Sequence, residues 1–352
     1  MTWAYAVTDR EIQEVIAAYD INPILVKKIR SAYKIICTHH NYCLKKLRHG
    51  REKAIKGKTL VEHLKKKGFL HVADYIETKN RKLYVEKQGS SYYLTEWIDG
   101  REVSFRKKKD LTKAVMDLAR FHQASMGFAE GPRDLIERRF EKTYREFYEC
   151  LAELKKYKQV IEQKTEKYEW EHRYLMDIDF YIDKGEKAIT LFKAFEYEKL
   201  IKKDGQTKGI CHGSYYYQNI IVDQAGNHYI IDLDSCTRDL YMYDVGKFIR
   251  RMLWAKEFQW DFDIVRSCID MYHSIVPIGK SEIGILLGII IFPHKYWRLG
   301  NKRYDKIEAW SEKKYDRKLD KLTKFKPYIE KFLREYCKYY GIEMNEEGKL
   351  MV

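Results

Sequence analysis

Proline is scarce, with five residues in a chain of 352. Proline removes a helical hydrogen-bond donor and clashes with the preceding turn, so its scarcity excludes a polyproline or collagen-like chain and leaves room for long helices. Paired cysteines are missing too. Cys37, Cys43, Cys150, Cys211, Cys236, Cys268 and Cys337 are odd in number, scattered and without a CxxC pair. That excludes a disulfide framework and a zinc ribbon, and predicts reduced thiols of a cytosolic compartment. The opening MTWAYAVTDREIQEVI lacks the apolar core of a secretion signal. The longest apolar run, Ile283 to Phe292, is too short to cross a bilayer and reads as a buried helix, so no membrane partner is expected. No zinc-ligand or RNP-type aromatic motif occurs. The excess of Lys+Arg over Asp+Glu, 67 against 52, is interleaved with acids along the chain. Nucleic acid is therefore not the expected ligand, and an acidic macromolecular partner is the better reading of the charge.

What is present describes a globular protein. Hydrophobic residues make up 45% and charged residues 34%, too apolar for a disordered chain. The length suffices for two or three domain-sized units. Twenty-nine tyrosines predict packing at half-buried positions.

The stretch from Gly209 to Asp244, GICHGSYYYQNIIVDQAGNHYIIDLDSCTRDLYMYD, organises the rest. His212 and Gly213 open a polar loop that ends at Asn219. A hairpin follows, Ile220 to Val222, a turn at Gly226, then Tyr229 to Leu233, with Asp232 and Asp234 where the second strand runs out. A short apolar hairpin with an Asn at its start and an Asp at its end brings two oxygen ligands together. Mg²⁺ takes such ligands, commonly one or two carboxylates plus substrate phosphates.

Around that stretch, residues 9 to 20 read as a helix capped by Asp9. Strand-like pieces follow at Ile24 to Ile29, Tyr33 to Cys37 and Tyr42 to Leu47. Residues 51 to 67 form a basic amphipathic helix with Ile55, Leu60 and Leu64 on its apolar side. A meander runs through His71 to Thr78, Arg81 to Glu86 and Tyr92 to Ile98. Asp110 caps a helix to Ser125, on which His122 reads as a packing residue. Three or four helices lie between Pro132 and Lys208, for example Leu135 to Tyr157 and Tyr168 to Lys187. More helices fill 258 to 310. Residues 311 to 340 read as a basic helical tail, with Lys314, Lys318, Lys321 and Lys324 on one side: a solvated face or a surface for an acidic partner.

HGSYYYQN, eleven residues, then IDLD resembles the catalytic core of protein-kinase-like phosphotransferases, more narrowly the aminoglycoside and choline kinase branch. The resemblance implies an α+β, two-lobed fold. Residues 1–98 would form a small antiparallel β-sheet lobe and 99–352 a mainly helical lobe carrying the catalytic-loop hairpin at 210–235. It implies ATP and Mg²⁺ as cofactors, with Asn219 and Asp232 holding the metal. YCLK resembles the strand whose lysine meets the α/β-phosphates. That makes Lys45 the phosphate-binding lysine and Glu62 its ion-pair partner; Lys46 points to the opposite face. Thr95, Glu96 and Trp97 are the hinge segment beside adenine. The resemblance further implies His212 and Asp244 as structural supports, with Asp239 in a similar role one turn before Asp244. Two positions depart from the pattern. Ser214 stands where the base is an aspartate, and the turn over the phosphates, Arg30-Ser31-Ala32, has no glycine.

YCLKK, LTEWIDGRE, LARFHQAS, ICHGSYYYQNII, IIDLDSCTRDLYMYDVGKFIRRML and IFPHKYWRLGNKRY together resemble the CotS-like spore coat proteins of endospore-forming bacteria, from about residue 10 to 330. That resemblance implies synthesis in the mother-cell cytoplasm, deposition in the spore coat and coat proteins as partners. Two functions stay open: an ATP- and Mg²⁺-dependent phosphotransferase of unknown acceptor, slowed by Ser214, or a pseudokinase-like structural component of the coat.

Overall fold

A computed structural model of the chain describes residues 10–47, 51–128, 136–202 and 207–343. Asp9 and Leu135, expected at helix starts, lie outside the described residues. The chain forms two compact units, Met1–Glu137 with Ile210–Thr237, and Arg138–Gly209 with Arg238–Val352. This division differs from a boundary at 98/99. The reason is backbone pairing: Ile230 N–H donates to the His71 carbonyl at 3.0 Å, and Val72 bridges Ile230, which ties the hairpin to the N-terminal stretch.

The first unit begins with α1 (Arg10–Ile16), β1 (Pro23–Ile29), β2 (Ala32–Cys37), β3 (Asn41–Leu47) and α2 (Arg51–Lys66). It continues with β4 (Tyr75–Ile76), β5 (Val85–Lys87), β6 (Ser90–Glu96), β7 (Arg101–Glu102) and α3 (Lys108–Ser125). Antiparallel pairing orders one sheet β1-β2-β3-β6-β4, with β5 also on β6. The strand expected over His71 to Thr78 contracts to Tyr75–Ile76, because the backbone at His71 and Val72 is taken by Ile230.

Side chains alternate across a strand, and β3 uses this to separate two lysines. Leu44, Tyr92 and Leu94 share one face and close over Ile12, Val15 and Ile16 of α1. Each such burial stabilises by roughly 1.5–3 kcal/mol. Lys46 goes to that same side, where its Nζ lies 3.1 Å from Glu11 and over the Tyr92 ring. Lys45 and Tyr93, paired in register, face the other way. On α2 the buried stripe is Ala54, Leu60, Val61 and Leu64. Ile55, expected on it, is one position off and is 36% exposed.

The chain re-enters this unit through β8 (Lys208–Cys211), a 3₁₀ turn at Tyr217–Asn219, β9 (Ile220–Val222) and β10 (His228–Ile230). β9 pairs with both β10 and β7. Gly100 permits the second pairing, since a Cβ there would lie 2.2 Å from the Val222 carbonyl oxygen.

The second unit is helical. α4 (Phe140–Glu162), α5 (Glu169–Ala194) and α6 (Tyr197–Lys202) precede β11 (Thr237–Leu240), and α7 (Tyr241–Leu253), α8 (Phe262–His273) and α9 (Lys280–Ile291) follow it. α10 (His294–Tyr304), α11 (Glu312–Thr323) and α12 (Lys326–Tyr340) complete it. The tail is thus two helices. Pro327 stands at the start of α12, where a missing N–H costs nothing, and the chain turns at Lys324 and Phe325. The apolar run forms α9, buried as expected. Many tyrosines are more deeply buried than half-buried packing implies. Tyr174 stacks on Tyr296 at 4.3 Å and Tyr296 on Tyr181 at 4.0 Å. Their hydroxyls are satisfied by backbone carbonyls, Tyr181 to Leu322 at 3.0 Å and Tyr174 to Tyr296 at 3.3 Å, which lets a polar tip enter a core. None of the seven cysteines forms a disulfide. Among the described residues no helix is long and apolar enough to cross a membrane.

Candidate functional site

The site lies within the first unit, on the face of β3 and β6 opposite α1. Cys43, Lys45, Tyr93, Thr95, Trp97 and Asp232 are among the residues lining a cavity of about 100 Å³. Ligand sites usually span about 300–1,000 Å³, so the cleft is contracted.

An ion triad occupies its floor. The Lys45 ammonium bonds the Asp232 carboxylate and lies 3.8 Å from Asp234. Burial alone would depress Lys45, but Asp234 and Asp232 overcome it and hold the lysine above its ordinary value. Burial would raise Asp232, yet Lys45 beside it draws the carboxyl below its usual range. Asp234 is pushed up by burial, and the negative Asp232 alongside adds to that. Asp232 has φ 74° and ψ 43°, a left-handed backbone that aspartate tolerates better than most residues. The turn ends β10 abruptly and aims the carboxylate back toward Lys45.

Glu62 does not join this triad. It is exposed on α2 and sits 3.4 Å from Lys58, one turn away. The reason is helical phase: Leu60, Val61 and Leu64 take the buried stripe, and residue 62 falls off it. What α2 sends inward is Lys56, whose Nζ donates to the Cys236 carbonyl at 2.9 Å. A buried lysine inside a basic helix carries no distinguishing sequence signal.

The loop before β9 is braced by side chains. His212 Nε2 donates to the Ile231 carbonyl at 3.0 Å, and Nδ1 accepts from the Ser214 N–H at 3.3 Å. Ser214 Oγ lies 3.2 Å from that Nδ1 and 2.9 Å from Ser235 Oγ. Asn219 Nδ2 donates to the Ser214 carbonyl at 3.0 Å and to its Oγ at 3.2 Å. The serine hydroxyl is thus engaged from three directions and carries no charge. Asn219 Oδ1 has no hydrogen-bond partner among the described residues, so the amide presents its oxygen, the atom a cation takes. Asn219 and Asp232 therefore offer the hard oxygen donors that a divalent ion requires. Gly213, at φ 76°, would set a Cβ 2.9 Å from the Ser235 carbonyl, and glycine relieves both constraints.

The hinge residues are partly committed elsewhere. Glu96 N–H bonds the Asp74 carbonyl and Trp97 N–H the Asn41 carbonyl, each at 2.9 Å. Ile98, which also lines the cavity, is the first residue beyond β6 whose N–H meets no protein acceptor among the described residues. Thr95 contributes its side chain to the same wall. The turn expected over the phosphates is the two-residue link Arg30–Ser31, with Ala32 already in β2. Arg30 has φ 55°, a conformation suited to glycine at the first position of a two-residue hairpin turn, and its guanidinium reaches Glu102 at 2.8 Å. Asp110 is not a cap. It sits inside the first turn of α3, where Arg101 holds its carboxyl down at about 2. Asp244 and Asp239 belong to the second unit. Asp244 is in the first turn of α7, 1% exposed. Asp239 accepts from the Thr143 hydroxyl and from Leu240 N–H.

Comparison with solved structures identifies the fold. An aminoglycoside phosphotransferase from Alicyclobacillus acidocaldarius has a TM-score of 0.80 at 20% identity, covering 94% of this chain and 96% of its own. A spectinomycin phosphotransferase bound to ADP and spectinomycin has a TM-score of 0.61 at 13% identity, covering 92% and 98%. An amicoumacin kinase bound to AMP-PNP, Ca²⁺ and its antibiotic has a TM-score of 0.60 at 14% identity, covering 91% and 92%. The fold is therefore that of the kinase-like phosphotransferases. In sequence, spore coat protein S of Bacillus subtilis is 23% identical over 279 residues, which is 79% of this chain and 78% of that protein. A family model described as "Spore coat putative kinase YutH" matches residues 12–336, nearly the whole chain, and the protein belongs to that family.

Proposed function

We propose that the protein is a spore coat component that binds ATP with a divalent cation in the cleft of its first unit and transfers phosphate slowly, without a carboxylate base. The observation that carries this reading is the Lys45 ammonium held against Asp232 and near Asp234 on the cleft floor. A phosphate-binding lysine and a metal-binding carboxylate kept in contact fit a nucleotide site at rest. Membership in the spore coat family and likeness to spore coat protein S support the location.

In this reading Lys45 leaves Asp232 to meet the α/β-phosphates. Asn219 Oδ1 and the Asp232 carboxylate would hold the cation, and the chemistry it would supply there is charge neutralisation. Ile98 N–H is the open backbone donor for adenine, with Thr95 and Trp97 alongside. Glu62 has no part. Phosphoryl transfer depends mostly on positioning and electrostatics, so Ser214 slows the reaction without forbidding it. A general base is typically worth about 10²–10⁴-fold, and the uncharged, already bonded Ser214 hydroxyl supplies little of that.

A second reading, a coat scaffold with no turnover, is favoured by the cavity of about 100 Å³, which must widen before a nucleotide fits. Calorimetric titration with ATP, with and without Mg²⁺, separates the two. The comparison is wild type against Asp232→Asn, since asparagine tolerates the left-handed backbone and removes only the charge. Saturable binding that needs Mg²⁺ and is lost in the variant is expected. No binding up to millimolar ATP would overturn the nucleotide reading and leave the scaffold.

A further inference from the structure

The second unit contains a concavity of about 990 Å³ between the end of α7, α10, α11 and the turn into α12. Its lining includes Lys256, Lys295, Arg298, Lys318, Lys321 and Lys324, together with Lys302, and no aspartate or glutamate. Lys302 is paired with Glu308 at 2.5 Å. The other six have no carboxylate within ion-pair distance among the described residues, whereas lysines on α4 are paired, Lys155 with Glu186 at 2.7 Å and Lys158 with Asp179 at 2.6 Å.

Helix α11 shows how the acids were removed. Asp316 bonds Arg173 at 2.9 Å, Asp320 bonds the same guanidinium, and Glu312 bonds Arg303 at 2.5 Å. Lys318 and Lys321 are left facing the concavity. Helical spacing thus sorts α11 into an acidic side that is consumed by partners and a basic side that is not. Aromatic rings steady two lysines at the rim, with Lys295 Nζ 5.0 Å above Trp254 and Lys302 Nζ 4.5 Å above Trp310. Lys295 is open to water within the concavity, yet protein encloses it on its other sides. That enclosure, with Arg250, Lys318, Arg251 and Lys321 around it, pushes it down to about 7. Lys295, Lys318 and Lys321 are crowded with no carboxylate in ion-pair distance among the described residues, which destabilises the fold, and an anion would relieve them.

We propose that this concavity is a binding site for a polyphosphorylated small molecule, its phosphates taken by Lys295, Arg298, Lys318, Lys321 and Lys324 and its body resting on Trp254 and Phe325. The volume is at the upper end of small-molecule sites and the lining is concave, which suits a compact ligand better than an extended chain. Phosphate carries up to two charges per group and matches both the guanidinium fork of Arg298 and the point charges of the lysines. The site stands whether or not the first unit turns over ATP.

Titrating the full-length protein with fructose 1,6-bisphosphate and with inositol hexakisphosphate tests it. Saturable binding of one molecule per chain is expected, at least tenfold weaker in Arg298→Ala/Lys318→Gln and unchanged in Asp232→Asn. Added Mg²⁺ should weaken it by screening the phosphates, opposite to the requirement expected of the ATP cleft. Ligand should also raise the melting temperature of the wild type and not of the double variant. Removing crowded charge should leave the unliganded variant at least as stable as the wild type, so misfolding does not mask the result. Three outcomes would overturn the proposal: no saturable binding, equal affinity in the double variant, or tighter binding of a decaglutamate peptide than of either phosphate compound.

Discussion

Replacing Ser214 by aspartate puts a carboxylate where Oγ now meets Ser235 Oγ at 2.9 Å and Asn219 Nδ2 at 3.2 Å. Both groups can donate to it, so the new charge enters a prepared polar niche. The loop backbone is already set by Gly213 and by the Asn219 bond to the Ser214 carbonyl at 3.0 Å. A positioned general base contributes about 10²–10⁴-fold, or about 3–5 kcal/mol of barrier at 1.36 kcal/mol per decade. Repulsion from Asp232 and Asp234 reduces that, and Lys45 offsets part of the repulsion. We expect an increase of at least about tenfold, with about 10⁴-fold as the ceiling. Single-turnover release of labelled phosphate from ATP, with water as acceptor, measures it without knowledge of the natural acceptor. Ser214→Asn, similar in size and uncharged, is the control and should not accelerate release. A Ser214→Asp rate at or below wild type, with melting and ATP titration intact, would refute the assignment of this position.

Three further outcomes follow from the geometry. Glu62→Gln should leave ATP affinity unchanged and stability within about 0.5 kcal/mol by urea denaturation, because its ion pair with Lys58 is exposed; a tenfold loss of affinity would restore the Lys45–Glu62 pairing. Arg30→Gly exchanges a left-handed arginine and its Glu102 contact for a residue suited to φ 55°. Strain relief of about 1–2 kcal/mol should offset the lost pair and the added chain entropy, so stability stays within about 1 kcal/mol while ATP binding tightens. Asp239 is raised from 3.8 to about 7, chiefly by burial. Its folded state holds a proton that its unfolded state releases, so stability should fall as pH rises from about 4 to about 7 and then level off. Urea midpoints across that range should show a shallower fall in Asp239→Asn, and an identical slope would refute the burial argument.

The fold was legible wherever local pattern and tertiary demand agreed. His-Gly, Asn and Asp-x-Asp at their spacing announced the hairpin because strand ends and turn residues are local features. The parity of Lys45 and Lys46 could be argued because the two faces of a strand alternate. Glu62 was not legible, since a basic helix with apolar residues at 55, 60, 61 and 64 admits more than one phase, and only packing selects among them. Ile98 was hidden because whether an N–H is free depends on distant carbonyls, those of Asp74 and Asn41. The basic concavity was invisible for a similar reason. Its cations come from elements about seventy residues apart, and their isolation depends on where α11 sends its acids. Of the four lysines that the helical spacing puts on one side, those at 318, 321 and 324 line the concavity and Lys314 does not.

The first unit is stitched from two separated pieces of chain: β7 at Arg101–Glu102 finds its partner at Ile221–Val222. On the ribosome, therefore, the N-terminal piece emerges with an unpaired edge and waits while the whole of α4, α5 and α6 is made. An unpaired edge is a template for pairing with other chains. The interval is seconds at ordinary translation rates, about 5–20 residues per second. Neither unit can be excised as one continuous fragment, and a chain cut near residue 137 would be left permanently at that intermediate.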